Sequence, residues 1–395
     1  MGIIIPLILI AISCVVIWRA GDGFMTASEY IGRNLSEGVR GASINAIASS
    51  MPEVFTSLFF LFVLMDADGF AGGIGTTAGS AIFNSMVIPA VSVIAVIGIG
   101  LAKRIKVSKK VMLRDGISLI ITEAIFLVLI NGSVLDWYHG LILMGVYVIY
   151  ITYMFMSMKS NQKKEEQIEE EEEEEEEDLG PAPSFFVSLI SFNLEDLFIR
   201  NNKVTGKNAW PLLIFSTISI AAVCYLLVIA CEWMGSEVYE VPYLGSYNGL
   251  GIPLMFVALV LASAASSFPD TIISIKDAQR GQYDDAISNA LGSNIFDVCF
   301  ALGFPLFIFC ILHGPIQMGP DDIAISSEIR FLLLLLTILA VIIFVSSQYI
   351  GKTKAFLLLG IYFMFIAYII GRSADNPLAN SIADFLVSTV RMVIG

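Results

Sequence analysis

The sequence contains little charge and few of the side chains that form soluble metal centres or nucleophilic active sites. Charged residues make up only 15% of the 395 positions, and there are two histidines, His139 and His313. The sequence has no Cys/His cluster, no nucleotide-binding loop and no nucleophile motif. A soluble domain of this length needs a larger polar surface. We therefore expect neither a soluble protein nor an enzyme, and no nucleic-acid partner.

Cysteine is also scarce, and its distribution excludes most of its usual roles. The five cysteines, Cys14, Cys224, Cys231, Cys299 and Cys310, all lie in apolar segments, and their number is odd. This pattern favours packing or lipid-facing side chains over disulfides or a metal site. We expect no bound cofactor.

Apolar residues dominate the chain instead, at 56%, in long segments that recur from end to end. Segments of this length predict an all-α polytopic membrane protein with ten transmembrane helices. The first apolar segment lacks a basic leader and an obvious cleavage site, so we expect it to be retained. The predicted spans lie near 3–18, 38–65, 74–101, 115–131, 137–158, 209–232, 250–275, 285–312, 327–349 and 353–371.

The positions of lysine and arginine predict the orientation of these spans. Of the 22 basic residues, 18 fall in alternating loops, and the opposite loops, near 66–73, 132–136, 233–249 and 313–326, hold none. Because basic loops stay in the cytoplasm, the N-terminus is predicted to face outward. The loop 159–208 is then cytoplasmic, and we expect the protein in the cell membrane.

The cytoplasmic loop 159–208 divides the chain into a first half, 1–158, and a second half, 209–372. Residues 165–178 of this loop hold twelve acids and no base, so they account for most of the net charge of −14. Such a run is most simply a solvated linker. A calcium-sensing role is less expected, since a flexible run lacks fixed ligand geometry. Residues 184–200 and the tail 373–395 are candidates for interfacial helices.

The same two-part signature occurs in both halves. In the first half "ASSMPE" (48–53) precedes "GSAIFN" (79–84), and in the second half "ASSFPD" (265–270) precedes "GSNIFD" (292–297). Five spans per half is an odd number, so the two copies cross the membrane in opposite directions. We therefore predict two inverted five-helix repeats, with the signatures within 38–101 and 250–312. In secondary transporters such repeats place the binding site near the midplane, between discontinuous helices.

Three acids lie within the repeated segments. A carboxylate at mid-membrane costs roughly 2.5–3.5 kcal/mol, so Glu53, Asp270 and Asp297 need compensation. Pairing with a basic side chain is one possibility, but Arg40 and Arg330 are the only plausible partners. A bound cation is the better explanation.

Two prolines next to these acids supply further oxygen ligands. Pro52 and Pro269 each lack an N–H, which frees the carbonyl about one turn earlier, near Ala48 and Ala265. Such a break is tolerated in lipid only where the freed groups face a cavity or a partner. Together with the acids, the candidate ligands are Ala46, Ser49, Ser50, Ser80, Asn84, Ser263, Ser266, Ser267, Ser293 and Asn294. An all-oxygen set suits hard cations such as Ca²⁺, which takes roughly 6–8 oxygens, and Na⁺.

The segments "ASSMPEVFTS" with "GTTAGSAIFN", and "ASSFPDTIIS" with "LGSNIFDV", resemble the two alpha-repeats of the cation/calcium exchanger superfamily. Ala81, Asp270 and Asp297 make them most similar to the potassium-dependent sodium/calcium exchangers. The resemblance implies that Glu53 and Asp270 bind Ca²⁺ or Na⁺, with Asn84 and the serines completing the shell. It implies a K⁺ site at Asp297, to which Asn294 is assigned as well.

Charge balance leaves two states of Asp297 open. Three ionised carboxylates are neutralised by Ca²⁺ with K⁺, whereas Ca²⁺ alone leaves one negative charge unless Asp297 is protonated. The expected function is exchange of Na⁺ for Ca²⁺ by alternating access, with spans one and six moving and with a monomer sufficient for transport. The alternatives are a proton/calcium exchanger and, from another class, a cation channel.

Overall fold

The computed structural model describes residues 2–31, 33, 46–165, 185–199 and 203–394, most of which are helical. The helices are α1 (Ile4–Ile31), α2 (Ala46–Ser49), α3 (Met51–Leu64), α4 (Ala67–Gly98), α5 (Lys109–Leu129), α6 (Trp137–Glu165), α7 (Phe185–Ile190), α8 (Leu194–Phe198), α9 (Gly206–Gly235), α10 (Leu254–Ser266), α11 (Phe268–Gln279), α12 (Tyr283–His313), α13 (Pro320–Val345), α14 (Lys352–Ser373) and α15 (Pro377–Ile394). Short π-helical turns interrupt α10 at Ala258–Ala262 and α12 at Asp297–Ala301.

In the described ranges, six short strands pair in the loops between the helices. They are β1 (Ile105–Lys106), β2 (Val134–Leu135), β3 (Val238–Val241), β4 (Gly245–Asn248), β5 (Ile316–Gln317) and β6 (Tyr349–Ile350). All three pairs are antiparallel, and they join β1 to β6, β2 to β5 and β3 to β4. In β1–β6 and β2–β5 one strand comes from each half of the chain.

The helices confirm an all-α polytopic membrane fold with broken central helices. Within the described ranges, eight helices are long and apolar enough to cross a membrane, and the pair α10 and α11, bent by 44°, adds a ninth. The predicted span 115–131 corresponds to α5, which is less apolar because it carries Arg114, Asp115 and Glu123. The predicted span 38–65 corresponds to α2 and α3, although residues 38–45 lie outside the described part of the chain.

Helix α15, in the predicted interfacial tail, is one of those eight helices by length and composition. Its surface has two exposed sides, of which one is apolar, with Leu378 and Phe385, and the other carries Asp384 and Arg391. A separate face packs on the protein. An exposed polar side beside an exposed apolar side is typical of an interfacial helix, so the interfacial position stays a prediction.

The predicted helix ends are wrong where polar residues continue a helix beyond its apolar segment. Helix α1 runs to Ile31 and not to residue 18, and in this continuation Arg19 stacks on Trp18 and Asp22 pairs with Lys276 (3.6 Å). A hydropathy profile ends this span at its first charged residue, Arg19, although the helical backbone continues to Ile31. The loop piece 184–200 is not a single helix either. Residues 191–193 separate α7 from α8, and Phe192 has a positive φ of 52°.

Loops that the charge pattern assigns to one side contact each other. On the side rich in lysine and arginine, here called the basic face, β1 pairs with β6, and the Ser108 N–H donates to Asp284 Oδ1 (2.6 Å). On the opposite face, β2 pairs with β5, and the Tyr239 hydroxyl donates to the carbonyl of Gly2. Contacts between loops therefore follow the alternation of charge along the chain.

Helix α4 lies at the centre, in contact with α3, α10, α11, α12, α13 and α14. Its glycines permit this packing. A Cβ atom on Gly75 would lie 2.5 Å from the carbonyl oxygen of Met255, and one on Gly79 would overlap the carbonyl oxygen of Leu259. Helices α1 and α9 instead pack along each other and share a separate apolar cluster with parts of α3 and α10.

We predict that Gly79→Ala lowers the thermal stability of the detergent-purified protein. A methyl group at Gly79 meets backbone of α10, so the helices must separate, at a cost of about 1–3 kcal/mol. The control is Gly98→Ala at the end of the same helix, where nothing lies within 4 Å of an added Cβ. A melting temperature of Gly79→Ala equal to that of Gly98→Ala would contradict the close packing.

Candidate cation-binding site

The two repeated signatures form two helix breaks with the same backbone geometry. Ser50, between α2 and α3, has φ −93° and ψ 7°, and Ser267, between α10 and α11, has φ −80° and ψ 4°. Pro52 and Pro269 follow in the first turn after each break. Because proline has no N–H, the carbonyl one turn earlier loses its usual donor, as the sequence predicts.

Three carboxyl groups meet where these breaks cross α4 and α12. Glu53, Asp270 and Asp297 are all 0% exposed. The hydroxyl of Ser80 on α4 lies 3.2 Å from Glu53 Oε1 and 3.1 Å from Asp297 Oδ2. It also lies 2.7 Å from Ser267 Oγ. A hydroxyl carries a single proton, so Ser80 cannot donate to both carboxylates at once.

The second half of the chain also contacts Glu53. Ser267 Oγ lies 3.4 Å from Glu53 Oε1, and Ser266 lies beside the same carboxyl group. Asp270 is in turn contacted by Ser49 and Asn84 of the first half. Each of these two carboxyl groups therefore has partners in the other half of the chain, and the inverted repeats share one site.

The amide of Asn84 ties α4 to α12 within this site. Its Nδ2 donates to Ser80 Oγ and to Ser293 Oγ, both at 3.3 Å. Its carbonyl oxygen Oδ1 has no hydrogen-bond partner among the described residues. Because Nδ2 uses its two protons for these contacts, Oδ1 is the atom of this amide that is available to bind a cation.

Several other buried oxygens at the crossing have no hydrogen-bond partner in the ranges that the structure describes. A buried polar atom in this condition is costly unless a further group satisfies it. The set contains carboxylate, hydroxyl and amide oxygens, which are the ligands of hard cations. These atoms are Glu53 Oε2, Asp270 Oδ2, Asp297 Oδ1, Ser50 Oγ, Asn84 Oδ1 and Asn294 Oδ1.

No basic side chain neutralises the three acids within the described ranges. The salt bridges found there, Arg114–Asp115, Lys276–Asp22 and Arg372–Glu328, all lie elsewhere. Arg330, the partner considered from the sequence, is fully buried on α13 and donates to carbonyls of α5, including that of Leu127 (2.9 Å). Arg40 lies outside the described residues.

Carboxylates alone do not form a metal site here. In the described ranges, no three histidine, cysteine, aspartate or glutamate side chains are grouped closely enough to hold a metal ion. Hydroxyl groups separate the acids, with Ser80 standing between Glu53 and Asp297. A cation at this crossing therefore has to draw on serine and amide oxygens as well as on carboxylates.

The hydroxyl of Ser263 and the amide nitrogen of Asn294 are turned away from the site. Ser263 donates to the carbonyl of Leu259 (2.6 Å) in its own helix. The amide nitrogen of Asn294 donates to Ala81 O (3.0 Å) and Ser85 Oγ (2.9 Å), so it ties α12 to α4. Of Ala46 only the backbone is described, in α2.

Asn289 and Ser274 also contact the site and were missed from the sequence. Asn289 Nδ2 lies 3.5 Å from Asp270 Oδ1 and 3.4 Å from Ser274 Oγ. A signal for Asn289 exists, because Asn289, Ser293 and Asp297 follow each other at four-residue spacing. Residues so spaced lie on one face of a helix.

Comparisons with known proteins agree with this architecture. A family model described as "Sodium/calcium exchanger protein" matches residues 5–156 and 208–371. Mouse "Sodium/potassium/calcium exchanger 2" is 29% identical over 167 residues, which is 42% of this chain and 23% of that relative. Human "Sodium/potassium/calcium exchanger 5" is 24% identical over 378 residues, which is 80% of this chain and 73% of that relative.

Two solved structures share the fold. The H⁺/Ca²⁺ exchanger CAX has a TM-score of 0.63 at 13% identity and covers 97% of this chain and 92% of its own. The sodium-calcium exchanger NCX_Mj has a TM-score of 0.51 at 21% identity, with 92% and 99% covered. At these identities the likeness concerns the fold alone.

We predict that Ser80→Ala weakens binding of Ca²⁺ to the purified protein by about tenfold or more, because this hydroxyl contacts charged groups. The matched control is Ser92→Ala, a buried serine on the same helix whose hydroxyl has no partner among the described residues. Equilibrium binding of ⁴⁵Ca²⁺ measures both variants. Equal affinities for the two would remove Ser80 from the site.

Proposed function

Because the chain belongs to the sodium/calcium exchanger family, we propose that it exchanges Na⁺ for Ca²⁺ across the membrane, with K⁺ carried together with Ca²⁺. The observation that carries this proposal is the crossing of the two helix breaks. There, three buried carboxyl groups have unpartnered oxygens and no basic side chain of the described residues in contact. Mobile cations are the natural partners of such charge.

Glu53 and Asp270 bind Ca²⁺ or Na⁺ in this proposal, one from each inverted half. Their free oxygens, with Asn84 Oδ1 and the hydroxyls of the two breaks, supply the hard oxygen ligands that either ion requires. Na⁺ and Ca²⁺ compete for overlapping oxygens, so occupation by one excludes the other. Competition of this kind couples the downhill movement of Na⁺ to the uphill movement of Ca²⁺.

Asp297 carries the third charge and is assigned to K⁺. It stands in the second repeat at the position that Asn84 occupies in the first, and Ser80 connects it to Glu53. With Asp297 ionised, Ca²⁺ and K⁺ together make the site neutral. A proton on Asp297 achieves the same neutrality without K⁺, which makes K⁺ dependence the property to measure.

Alternating access is assigned to the pair α1 and α9. These two helices pack along each other, and α1 also contacts α2 and α11, while α9 contacts α3 and α10. Movement of the pair relative to α4 would therefore act on both helix breaks together. In the proposed orientation the N-terminus is outside and the basic face is cytoplasmic.

A proton/calcium exchanger is the second candidate function. Each of the three buried carboxyl groups has one oxygen without a partner in the described part, and a carboxyl group can hold a proton there. The serine hydroxyls around both breaks favour Na⁺, since a proton needs no coordination shell. Complete burial of the acids favours a gated carrier over the open pore of a channel.

Transport by the purified protein in liposomes tests the proposal. We expect ⁴⁵Ca²⁺ uptake driven by an imposed Na⁺ gradient and stimulated by K⁺. Uptake that ignores Na⁺ and follows a pH gradient would establish the proton exchanger instead. Uptake that follows the Ca²⁺ gradient alone, with no counter-ion, would indicate a channel.

We predict that Glu53→Gln and Asp270→Asn each abolish Na⁺-driven Ca²⁺ uptake, because each removes a charge and keeps the shape of the side chain. The control is Glu123→Gln on α5, another fully buried glutamate, whose Oε1 accepts from Thr337 (2.8 Å) away from the site. Wild-type uptake in either site variant would show that the substituted carboxyl group is not needed to bind the transported ion.

Asp297→Asn is expected to remove the stimulation by K⁺ while Na⁺-driven Ca²⁺ uptake persists without it. The substitution leaves two carboxylates, which Ca²⁺ alone neutralises. Initial rates of uptake are compared between 0 and saturating K⁺ for the variant and the wild type. An unchanged response to K⁺ would count against the assignment of Asp297.

A further inference from the structure

Asn289 is the residue at the site that the proposed function leaves without a role. It lies on α12, and its Nδ2 approaches Asp270 Oδ1 (3.5 Å) and Ser274 Oγ (3.4 Å), both on α11. An amide nitrogen carries two protons, so it can donate to both oxygens at once. Asn289 therefore holds one oxygen of Asp270, while the other, Oδ2, has no partner among the described residues.

The contact lies on the basic-face side of the carboxyl group. Helix α11 runs from the break at Ser267 towards that face, and Ser274 is one turn further along it than Asp270. Asp270 and Ser274 are both 0% exposed, whereas Asn289 is partly exposed. Asn289 thus contacts Asp270 from the side of the carboxyl group that is nearer to the basic face.

The inverted repeat lacks this contact on the opposite side. Thr76 is the counterpart of Asn289, and its hydroxyl donates to the carbonyl of Gly72 (3.0 Å) in its own helix. Ser57, the counterpart of Ser274, has a buried hydroxyl without a partner in the described ranges. The oxygen Oε1 of Glu53 is approached by serine hydroxyls instead. The side-chain partners of Glu53 are hydroxyl groups alone, whereas Asp270 has the amides of Asn289 and Asn84 as well as the hydroxyl of Ser49.

The helix segment that carries Asn289 is anchored to α5. The adjacent Ser288 donates to Asp115 Oδ2 (2.7 Å), and Arg114 forms an ion pair with Asp115 (2.6 Å). Asp115 is fully buried, so this anchor is sheltered from water. The part of α12 that carries Asn289 is therefore held by α5 as well as by the contact of Asn289 with α11.

We propose that Asn289 is a positioning residue for Asp270, and that it sets the affinity for Ca²⁺ at the basic face. The inference rests on the proposed transport of Ca²⁺ through this site, but not on the identity of the counter-ion. The amide orients the carboxyl group so that Oδ2 remains directed to the ion. Without the amide, Oδ1 loses a donor, and an ion arriving from that face must itself order the carboxyl group.

Transport kinetics of Asn289→Ala in liposomes test this role. Liposomes with the basic face outward and liposomes with the opposite face outward are assayed separately. The KM for ⁴⁵Ca²⁺ is thereby obtained for each face of the molecule. We expect the KM at the basic face to rise about three- to tenfold, as for loss of a hydrogen bond to a charged group, with the maximal rate retained. At the opposite face the KM should change by less than twofold.

Two further variants separate positioning from a merely structural effect. Asn289→Gln keeps the amide donor and should restore most of the affinity at the basic face. Thr76→Ala is the matched control at the inverted counterpart, and it should leave the KM at both faces unchanged. If Asn289→Ala does not fold, Asn289→Thr replaces it, because threonine stands at the counterpart position, and it carries the same expectation.

Equal changes of KM at both faces, or a fall in maximal rate with unchanged KM, would overturn the inference. Ca²⁺ uptake by the wild-type protein that is driven by a pH gradient and not by a Na⁺ gradient would overturn the proposed function alone. The Asn289 comparison is then made with that gradient. A wild-type protein with no Ca²⁺ transport would overturn both.

Discussion

Three carboxyl groups lie at the crossing of the broken helices, fully buried and without a basic partner in the described part of the chain. Such charge is stable in an apolar interior only with a cation or a proton beside it. The two helix breaks, the serines around them and the amide of Asn84 all place oxygens at the same point. The glycines of α4 are needed because only a bare backbone lets these helices approach. Packing, backbone geometry and ion chemistry thus meet one electrostatic requirement.

The two repeats match in backbone and differ in charge. Ser50 and Ser267 have nearly the same conformation, and Glu53 and Asp270 follow them at the same distance. Asn84 in one repeat nevertheless corresponds to Asp297 in the other, which leaves an odd number of acids. In the proposed function, two ionised acids would balance Ca²⁺ alone, whereas the third acid requires one more positive charge. One difference between the repeats therefore sets how much negative charge bound cations or protons have to balance at this crossing.

Much of this arrangement is predictable from the sequence, because its signals are local. Apolar length gives the spans, proline gives the breaks, and the repeated motifs place Glu53 and Asp270 together. The direction in which a side chain points is harder to predict, because it depends on contacts with other helices. Ser263 donates to its own helix and the nitrogen of Asn294 ties two helices, although both residues were candidate ligands. The predicted end of α1 is wrong because hydropathy ends a span at its first charged residues, whereas the helical backbone continues through Arg19 and Asp22 to Ile31.

The strand pairs β1–β6 and β2–β5 connect the two halves of the chain, one at each face of the bundle. Between them α4 of the first half packs on α10 to α14 of the second. These contacts between the halves are made by residues outside the loop 159–208, while α8 of that loop packs on both α1 and α9. The two halves of the chain pack on each other as two subunits of a heterodimer do, although they belong to one polypeptide. A chain interrupted between the halves would retain the strand pairs and the packing of α4 on the second half.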